Sequence, residues 1–316
     1  MYRVGVDLGG TNIAVGVVDD DFNIVGRGKL KTNLPRPAQA IFDDIAAAVR
    51  MAVADAGITM DQVASIGIGT PGSVNKATGM IDFANNLDFN HVPAKDMLVK
   101  SLGCENVYID NDANCAALGE ALAGAGKGRD SFVAITLGTG VGSGIVIDGK
   151  LVNGVNYAAG EMGHMVIVVD GEQCNCGRRG CWERYASATA LIAQTKDAMV
   201  QNQDSLMWKL VDDNIDRVNG RTAFDAMRQG DETGKKVVAR YIYYVSVGII
   251  NIINALQPEV ICISGGISHE KDTLLQPIRT HIKRERYSIY SEKQTEICCA
   301  VLGNDAGIIG AALLDK

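Results

Sequence analysis

Three cysteines and one histidine lie close together in the middle of the chain, and their side chains are those that bind zinc. They are His164, Cys174, Cys176 and Cys181. Three thiolates and one imidazole form one of the common closed tetrahedral zinc sites, and Gly177 and Gly180 would let the loop fold tightly round an ion. Because such a zinc has no vacant position for a substrate, we expect it to stabilise the loop rather than take part in a reaction.

The alternative interpretation is a set of reduced, half-buried thiols that bind no metal. It suits the other five cysteines, which lie singly in apolar segments or paired in one predicted strand. They are Cys104, Cys115, Cys262, Cys298 and Cys299. For the cluster we favour zinc, because three thiols this close in sequence rarely lack a common function.

Two glutamates flank the predicted metal ligands. Glu161 lies three residues before His164, and Glu183 lies two residues after Cys181. An ion that fixes the loop would also place both carboxylates, which could then hydrogen-bond to a ligand. Either glutamate alone would more often be a solvated surface charge. Their positions on both sides of the cluster favour a binding role.

Composition and charge limit the classes of partner. The chain has 316 residues, of which 47% are hydrophobic and 21% charged, as in a soluble globular protein long enough for two lobes. A net charge of -7 without a long basic run argues against a nucleic acid or an anionic membrane as the main partner.

The N-terminal sequence MYRVGVDLGG has none of the features of a secretion signal. The longest apolar run, Val245 to Leu256, is shorter than the roughly 20 residues that a membrane span requires. We therefore expect a cytoplasmic protein without a membrane partner. Thiols stay reduced in the cytoplasm, so the cysteine cluster is expected to hold a metal rather than disulfides.

Two glycine-rich hairpins are predicted, one at the N-terminus and one 129 residues later. The segment RVGVDLGGTNIAVGVV predicts a strand, a glycine turn and a second strand, and FVAITLGTGVGSGIVI repeats the pattern without a gap. The matching positions pair Leu8 with Leu137 and Gly9 with Gly138, among others. Such self-similarity predicts two duplicated lobes that each open with a hairpin.

Glycine turns of this kind are suited to phosphate. Their backbone N–H groups are unobstructed by side chains and form a concave anion site. One glycine turn alone is more often a plain turn. Two such turns could grip one polyphosphate from both sides, and the polar Asp7, Thr11, Asn12 and Thr139 lie in or beside them.

Strands and helices alternate after the first hairpin, which indicates an α/β fold. The segment ending at Gly57 has apolar residues at four-residue spacing and predicts a helix, and VASIGIGTPGSV predicts a buried strand followed by a turn. The segment PEVICISGGIS predicts a later strand that ends at Gly265 and Gly266, a position that suits contact with a nucleotide as well as an ordinary turn. A helix is predicted to close the chain.

The run DNDAN, Asp110 to Asn114, lies between a predicted strand and an alanine-rich helix. Ligand sites of α/β sheets gather at the carboxyl ends of strands. Helix capping is the alternative role for asparagine and aspartate, but one cap needs only one such residue. An aspartate in this run could accept a proton from a substrate hydroxyl.

Seven motifs occur in an order that is seen in one family. They are VDLGGTN, GTPG, NDAN, LGTGVGSG, GEMGH, CNCGRRGCWERYAS and SGG. With these motifs the chain resembles the ROK family of sugar kinases over nearly its whole length. Within that family the resemblance is strongest to the bacterial ATP-dependent glucokinases. The resemblance implies a two-lobed α/β fold of the actin/hexokinase-like ATPase type with a cleft between the lobes. The small lobe would comprise residues 1–113 and 302–316, and the large lobe, with the zinc loop, residues 114–301.

The resemblance also implies roles for individual residues. Asp112 would be the base for the 6-hydroxyl of glucose, and ATP would bind with Mg²⁺, which Asp7 would help to place. The implied sugar-binding residues are Gly72, Asn86, Asn111, Asp112, Glu161, His164 and Glu183. The implied ATP-binding residues are Asp7, Gly9, Gly10, Thr11, Asn12, Gly138, Thr139, Gly140, Gly265 and Gly266. His164 would contact the sugar with one ring nitrogen and zinc with the other.

Three other functions have to be considered for this chain. The family's repressors carry a DNA-binding segment before the first hairpin, and here that hairpin starts at Tyr2, so a repressor is not expected. A non-catalytic sugar-binding module is disfavoured by Asp112 and by the two phosphate turns. A kinase for mannose, allose, N-acetylglucosamine or N-acetylmannosamine shares every motif and stays open as an alternative.

By analogy with the family, the protein is expected to form a homodimer or a higher homo-oligomer.

Overall fold

This computed structural model, which describes residues 1–316, has thirteen strands and ten α-helices. The strands are β1 Tyr2–Leu8, β2 Asn12–Val18, β3 Ile24–Lys31, β4 Val63–Thr70, β5 Ser73–Asn75, β6 Met80–Ala84, β7 Phe89–Val92, β8 Val107–Asn111, β9 Ser131–Leu137, β10 Val141–Ile147, β11 Lys150–Leu151, β12 Val260–Ser264 and β13 Glu296–Cys299. The helices are α1 Ala38–Asp55, α2 Ala94–Leu102, α3 Asp112–Leu122, α4 Glu183–Ala186, α5 Ala188–Gln201, α6 Leu206–Leu210, α7 Thr222–Arg228, α8 Glu232–Leu256, α9 Asp272–Glu285 and α10 Ala306–Ala312.

Two five-stranded sheets have matching strand orders. The first has the order β3-β2-β1-β4-β8 and the second β11-β10-β9-β12-β13. In the first sheet β1 pairs antiparallel with β2 and parallel with β4, and β4 pairs parallel with β8. The bounds of β9 and β10 follow those of β1 and β2 by 129 residues at every end. The duplication predicted from the sequence is therefore confirmed at the level of strands and their order.

A smaller antiparallel sheet, β5-β6-β7, follows β4 in the chain. It begins directly after Gly72, and the connection between β6 and β7 contains Asn86, another predicted sugar-binding residue. Phe89 of β7 and Ile81 of β6 are buried in the same hydrophobic core as strands β1, β2 and β4. This sheet is consequently part of the N-terminal core rather than a separate attachment.

Helix α1 covers the first sheet with one apolar face, as its sequence period predicts. Ile41, Ile45, Val49 and Val53 recur at four-residue spacing, and all four are buried. Spacing of this kind places side chains on one side of a helix, where burial of each large aliphatic side chain stabilises the fold by about 1.5–3 kcal/mol. Helix α1 packs against β2 and β3 in this way.

The chain divides into two units. Unit 1 comprises Met1–Ala134, Ser143–Gly160 and Ala300–Lys316, and unit 2 comprises Ile135–Gly142 and Glu161–Cys299. This division differs from the boundary predicted after residue 113, because helix α3 lies in unit 1, where it packs against α10 and β4. The C-terminal segment that belongs to the N-terminal unit begins at Ala300, whereas the predicted segment begins at residue 302.

Helix α8 is long and apolar enough to cross a membrane by length and composition alone. In its most apolar window 61% of the residues are buried within the protein. One face, including Tyr241, Val245 and Ile249, is fully buried. Core helices meet the same length and composition criterion, and α8 has the burial of such a helix.

Candidate active site and metal centre

Polar residues of unit 1 gather where the parallel strands β1, β4 and β8 end. Asp7 of β1 is in register with Gly69 of β4, which in turn is in register with Asp110 of β8. One position later, Thr70 pairs with Asn111. Since the carboxyl ends of parallel strands lie at one edge of a sheet, Asp7 and the DNDAN run share the edge at which α/β proteins bind ligands.

Asn111 performs two tasks at this edge. Its Oδ1 caps helix α3 by accepting hydrogen bonds from the backbone N–H groups of Ala113 at 2.8 Å and Asn114 at 3.4 Å. Its Nδ2 donates to the carbonyl oxygen of Gly72 at 3.1 Å. Asn111 therefore caps α3, which is the alternative role that the sequence indicates for this run. The same residue links the start of α3 to the segment after β4.

Asp112 is the first residue of α3 and is not needed for the cap. Its Oδ1 accepts the backbone N–H of Ala113 at 2.9 Å. Part of the side chain is exposed, yet the surrounding protein desolvates the carboxyl enough to raise the pKa of Asp112 above its ordinary value, against the opposing effect of its hydrogen bonds. A carboxylate with a raised pKa is a stronger proton acceptor than an ordinary one.

Asp7 is perturbed more strongly. Burial, with a smaller contribution from the charge of Asp112, raises the pKa of Asp7 to about 6. The two carboxylates therefore feel each other's charge. A cation bound at Asp7 would relieve this repulsion and favour the ionised form of both groups.

The first glycine turn joins β1 to β2 and is held from outside by Thr32. Gly9 donates its N–H to the carbonyl of Asn12 at 2.9 Å, and the Thr32 side chain donates to the carbonyl of Gly9 at 2.7 Å. Gly10 and Thr11 at the tip are exposed. The Oδ1 atom of Asn12 is buried and has no hydrogen-bond partner, which is unusual for an amide and leaves an acceptor for a ligand or a water.

Asn86 lies near this turn. It is exposed in the short 3₁₀ helix Asn85–Leu87, and a methyl group added at Gly10 would come within 3.7 Å of its carbonyl oxygen. Unit 1 therefore brings together the first glycine turn, Asp7, Asn86, Asn111 and Asp112 on neighbouring elements.

The second glycine turn, in unit 2, is held by the start of α4 and α5. Ala188 donates its N–H to the carbonyl of Gly138 at 2.8 Å, and Thr189 donates its hydroxyl to the carbonyl of Thr139 at 2.8 Å. The Glu183 Oε2 atom accepts the N–H of Val141 at 3.0 Å. A side chain at Gly140 would come within 2.3 Å of this carboxylate and would have to displace it from Val141.

This contact gives Glu183 a role that sequence reasoning missed. The family resemblance implies that Glu183 is a sugar ligand, which stays a prediction, and in the structure one of its oxygens also holds the backbone beside the second glycine turn. No local signal could have revealed the contact, because Glu183 and Val141 are far apart in the sequence.

The glycine pair after β12 lies against the same turn. Gly265 has a left-handed conformation with φ of 86°, and a side chain there would overlap the backbone of Leu137 at the end of β9. The hydroxyls of Ser264 and Thr136 are 2.9 Å apart and join the two strands just before this point. Gly266 faces open space. Both turns predicted to contact ATP in unit 2 thus adjoin each other.

The four predicted metal ligands converge in unit 2. Their ligand atoms all lie within 4.8 Å of one another. Cys176 Sγ is 3.6 Å from Cys181 Sγ, and Cys174 Sγ is 3.7 Å from His164 Nδ1. Zinc–sulfur bonds of about 2.3 Å in a tetrahedron require ligand separations of about 3.5–3.8 Å. The cluster is therefore compatible with a tetrahedral metal.

The ring of His164 is oriented for two partners. Its Nδ1 faces the thiols, and its Nε2 lies 4.0 Å from a carboxylate oxygen of Glu161. The position of Nδ1 beside the thiols is compatible with the predicted metal contact, and the predicted contact of the other ring nitrogen with the sugar stays a prediction. Burial raises the pKa of Cys181 to about 12, so without a metal this thiol would stay protonated, and a dication would offset that penalty.

The loop that carries the cysteines is tightly folded and anchored. Gly177 and Gly180 have φ values of 89° and 76°, which confirms the predicted need for glycine. Trp182 is fully buried and donates its indole N–H to the carbonyl of Tyr244 on α8 at 2.8 Å. The residue after Trp182 is Glu183, so one rigid segment joins the metal cluster to the second glycine turn.

These features define the class of the protein. Two matching sheets, two glycine turns and an aspartate at the strand ends belong to an α/β protein of the actin/hexokinase-like type. The family model described as ROK family matches residues 3–316. The chain belongs to the ROK family.

The relatives agree with this assignment. The chain is 38% identical to a glucokinase from Halalkalibacterium halodurans, covering all of this chain and 95% of that protein, and 37% identical to one from Streptomyces coelicolor, covering 99% and 97%. Among solved structures, a ROK family glucokinase from Streptomyces griseus in complex with glucose and AMPPNP is 37% identical, covers 99% of both chains and has a TM-score of 0.80.

Proposed function

We propose that this protein transfers the terminal phosphoryl group of ATP to the 6-hydroxyl of glucose and releases glucose 6-phosphate and ADP. The observation that carries the proposal is Asp112, a carboxylate with a raised pKa at the carboxyl edge of the first sheet, beside Asn111, Asp7 and the first glycine turn. Likeness over full length to glucokinases supports the choice of reaction and of substrate.

In the proposed reaction Asp112 accepts the proton of the sugar hydroxyl as that oxygen attacks phosphorus. Phosphoryl transfer depends on positioning and charge neutralisation more than on covalent catalysis, so one base is sufficient. Asn111 holds the start of α3 and thereby the orientation of Asp112. The N–H groups of the turns at Gly9–Asn12 and Gly138–Gly140 would bind the phosphates, and Gly265 and Gly266 would lie near the adenosine.

The proposed sugar ligands are those that the family resemblance implies: Gly72, Asn86, Asn111, Asp112, Glu161, His164 and Glu183. Carboxylates, amides and an imidazole suit a ring rich in hydroxyls. A site that hydrogen-bonds each hydroxyl rejects an isomer that leaves a buried polar group unpaired.

Two metals belong to the proposal. Mg²⁺ would neutralise the phosphates of ATP, and the half-buried Asp7, whose pKa is raised, would gain from a nearby cation. Zn²⁺ would be held by His164, Cys174, Cys176 and Cys181, whose ligand atoms all lie within 4.8 Å of one another. Its effect would be structural, because it would fix the segment that leads to Glu183.

A reducing cytoplasmic compartment would keep these thiols available. By family analogy the protein would be a homo-oligomer, of which a homodimer is the simplest case.

The test is a panel of sugars under one set of conditions. We expect kcat/KM to be highest for glucose, to be far lower for galactose, whose 4-hydroxyl is inverted, and to be measurable for mannose. An N-acetylated hexosamine that exceeds glucose would keep the kinase assignment and refute the substrate. Sugar binding without any phosphorylation would favour a non-catalytic regulatory module.

A further inference from the structure

Asp110 is the residue of the DNDAN run to which the proposed reaction gives no role. It is 2% exposed. Its Oδ1 accepts the N–H of Asn111 at 2.7 Å and the side-chain amide of Asn114 at 2.9 Å. Its Oδ2 makes no other hydrogen bond but lies 2.6 Å from the ammonium of Lys76. A single cation therefore offsets this buried charge.

Lys76 lies directly after β5, on the same segment as Gly72. Two bonds join this segment to the start of α3. One is the neutral hydrogen bond from Asn111 to the Gly72 carbonyl, and the other is the ion pair of Lys76 with Asp110. These two bonds add to the pairing of Thr70 with Asn111 in fixing the position of Gly72 relative to Asp112, and both residues are proposed to contact the sugar.

The charged groups that act on Cys115 are mostly negative. The thiol of Cys115 is fully buried, and after burial itself the charges of Asp110, Asp112 and Asp7 raise its pKa, while Lys76 is the cation that lowers it. Without Lys76, the charged groups that act on Cys115 would include three carboxylates and no cation. A buried charge that loses its partner is strongly unfavourable, and the structure would shift to hydrate it.

We propose that Lys76 is a positioning residue of the active site: by neutralising Asp110 it holds Gly72 and the start of α3 in the arrangement in which Asp112 accepts the sugar proton. This inference rests on the proposed function. Lys76 lies outside every motif that points to the reaction, and it acts through Asp110 rather than on the substrate.

The experiment compares four variants with the unaltered protein. Lys76→Met removes the charge, Lys76→Arg keeps it, and Lys76→Met with Asp110→Asn removes both charges of the pair. Lys100→Met is the control, since Lys100 is an exposed lysine of α2 in the same unit. Steady-state kcat, KM for glucose and KM for ATP are measured at a temperature at which circular dichroism shows each variant to be folded.

We expect Lys76→Met to lower kcat by about 10- to 100-fold, as misplacement of catalytic groups does, with little change in KM for ATP. Lys76→Arg and the double variant should recover most of the loss, because neither leaves an unpaired charge at Asp110. A fall in kcat with little change in KM for ATP, measured on folded protein, distinguishes misplaced catalytic groups from general destabilisation. Lys100→Met should match the unaltered protein. A folded Lys76→Met with unaltered kcat, or a double variant as impaired as Lys76→Met, would overturn the inference. Absence of phosphorylation by the unaltered protein with every sugar would overturn the proposed function itself, and this inference with it.

Discussion

Replacing Asp112 by asparagine separates the proposed chemistry from the structure of helix α3. The cap of α3 is provided by Asn111, and the hydrogen bond that Asp112 accepts from the N–H of Ala113 is available to an amide oxygen as well. The structural cost is therefore limited to one negative charge in the first helical turn, about 0.3–1 kcal/mol. Relief of the repulsion between Asp112 and Asp7 opposes even this cost.

The catalytic cost is expected to be much larger. Loss of a general base lowers the rate by about 10²- to 10⁴-fold, which at about 1.4 kcal/mol for each factor of ten corresponds to about 3–5 kcal/mol in the transition state. Asp112→Asn should therefore lower kcat by at least about 10²-fold and leave the free energy of unfolding nearly unchanged. A coupled assay of ADP formation and a thermal unfolding curve measure the two effects.

Asp96→Asn is the matched control. Asp96 is also an exposed aspartate in the first turn of a helix, α2, and it belongs to the same unit. It should show the small stability change without the loss of turnover. Near-normal turnover in Asp112→Asn would refute the role of Asp112 as base, and a comparable loss in Asp96→Asn would show that the assay reports helix stability instead.

Two further predictions concern the metal and the pH dependence. Protein purified without added zinc should contain about one Zn²⁺ per chain, and Cys176→Ser should lose both metal and activity. The control Cys104→Ser, at an isolated half-buried thiol, should lose neither. Full activity in metal-free protein would contradict the link from the cluster to the turn at Glu183. Because a base works only when ionised, kcat/KM should fall as the pH is lowered through the pKa of Asp112, at a pH above the ordinary carboxyl value of 3.8. The same acidic fall at the same pH in the residual activity of Asp112→Asn would assign it to another group, with Asp7, whose pKa is about 6, the first to test.

Much of the fold was predictable because its signals are local. The four-residue spacing of Ile41, Ile45, Val49 and Val53 reports one face of a helix, and any helix with that spacing has such a face. The repeat at 129 residues likewise reports two hairpins of equal length, and the strands begin and end at that offset. Strand order and unit boundaries were harder, since they depend on which elements pack together. Helix α3 joins unit 1 through its contact with α10, nearly two hundred residues away in sequence.

For the candidate site, the sequence by itself determined the types and the local spacing of the groups: the metal ligands at positions 164 to 181, the glycine turns, and the DNDAN run at the end of a strand. Tertiary structure alone decided which distant groups meet. Glu183 reaches the backbone of Val141, and Lys76 pairs with Asp110. The physical reason is that covalent spacing restricts only residues within a few positions of each other, whereas a buried charge selects its partner from whatever the packed chain brings within about 3 Å.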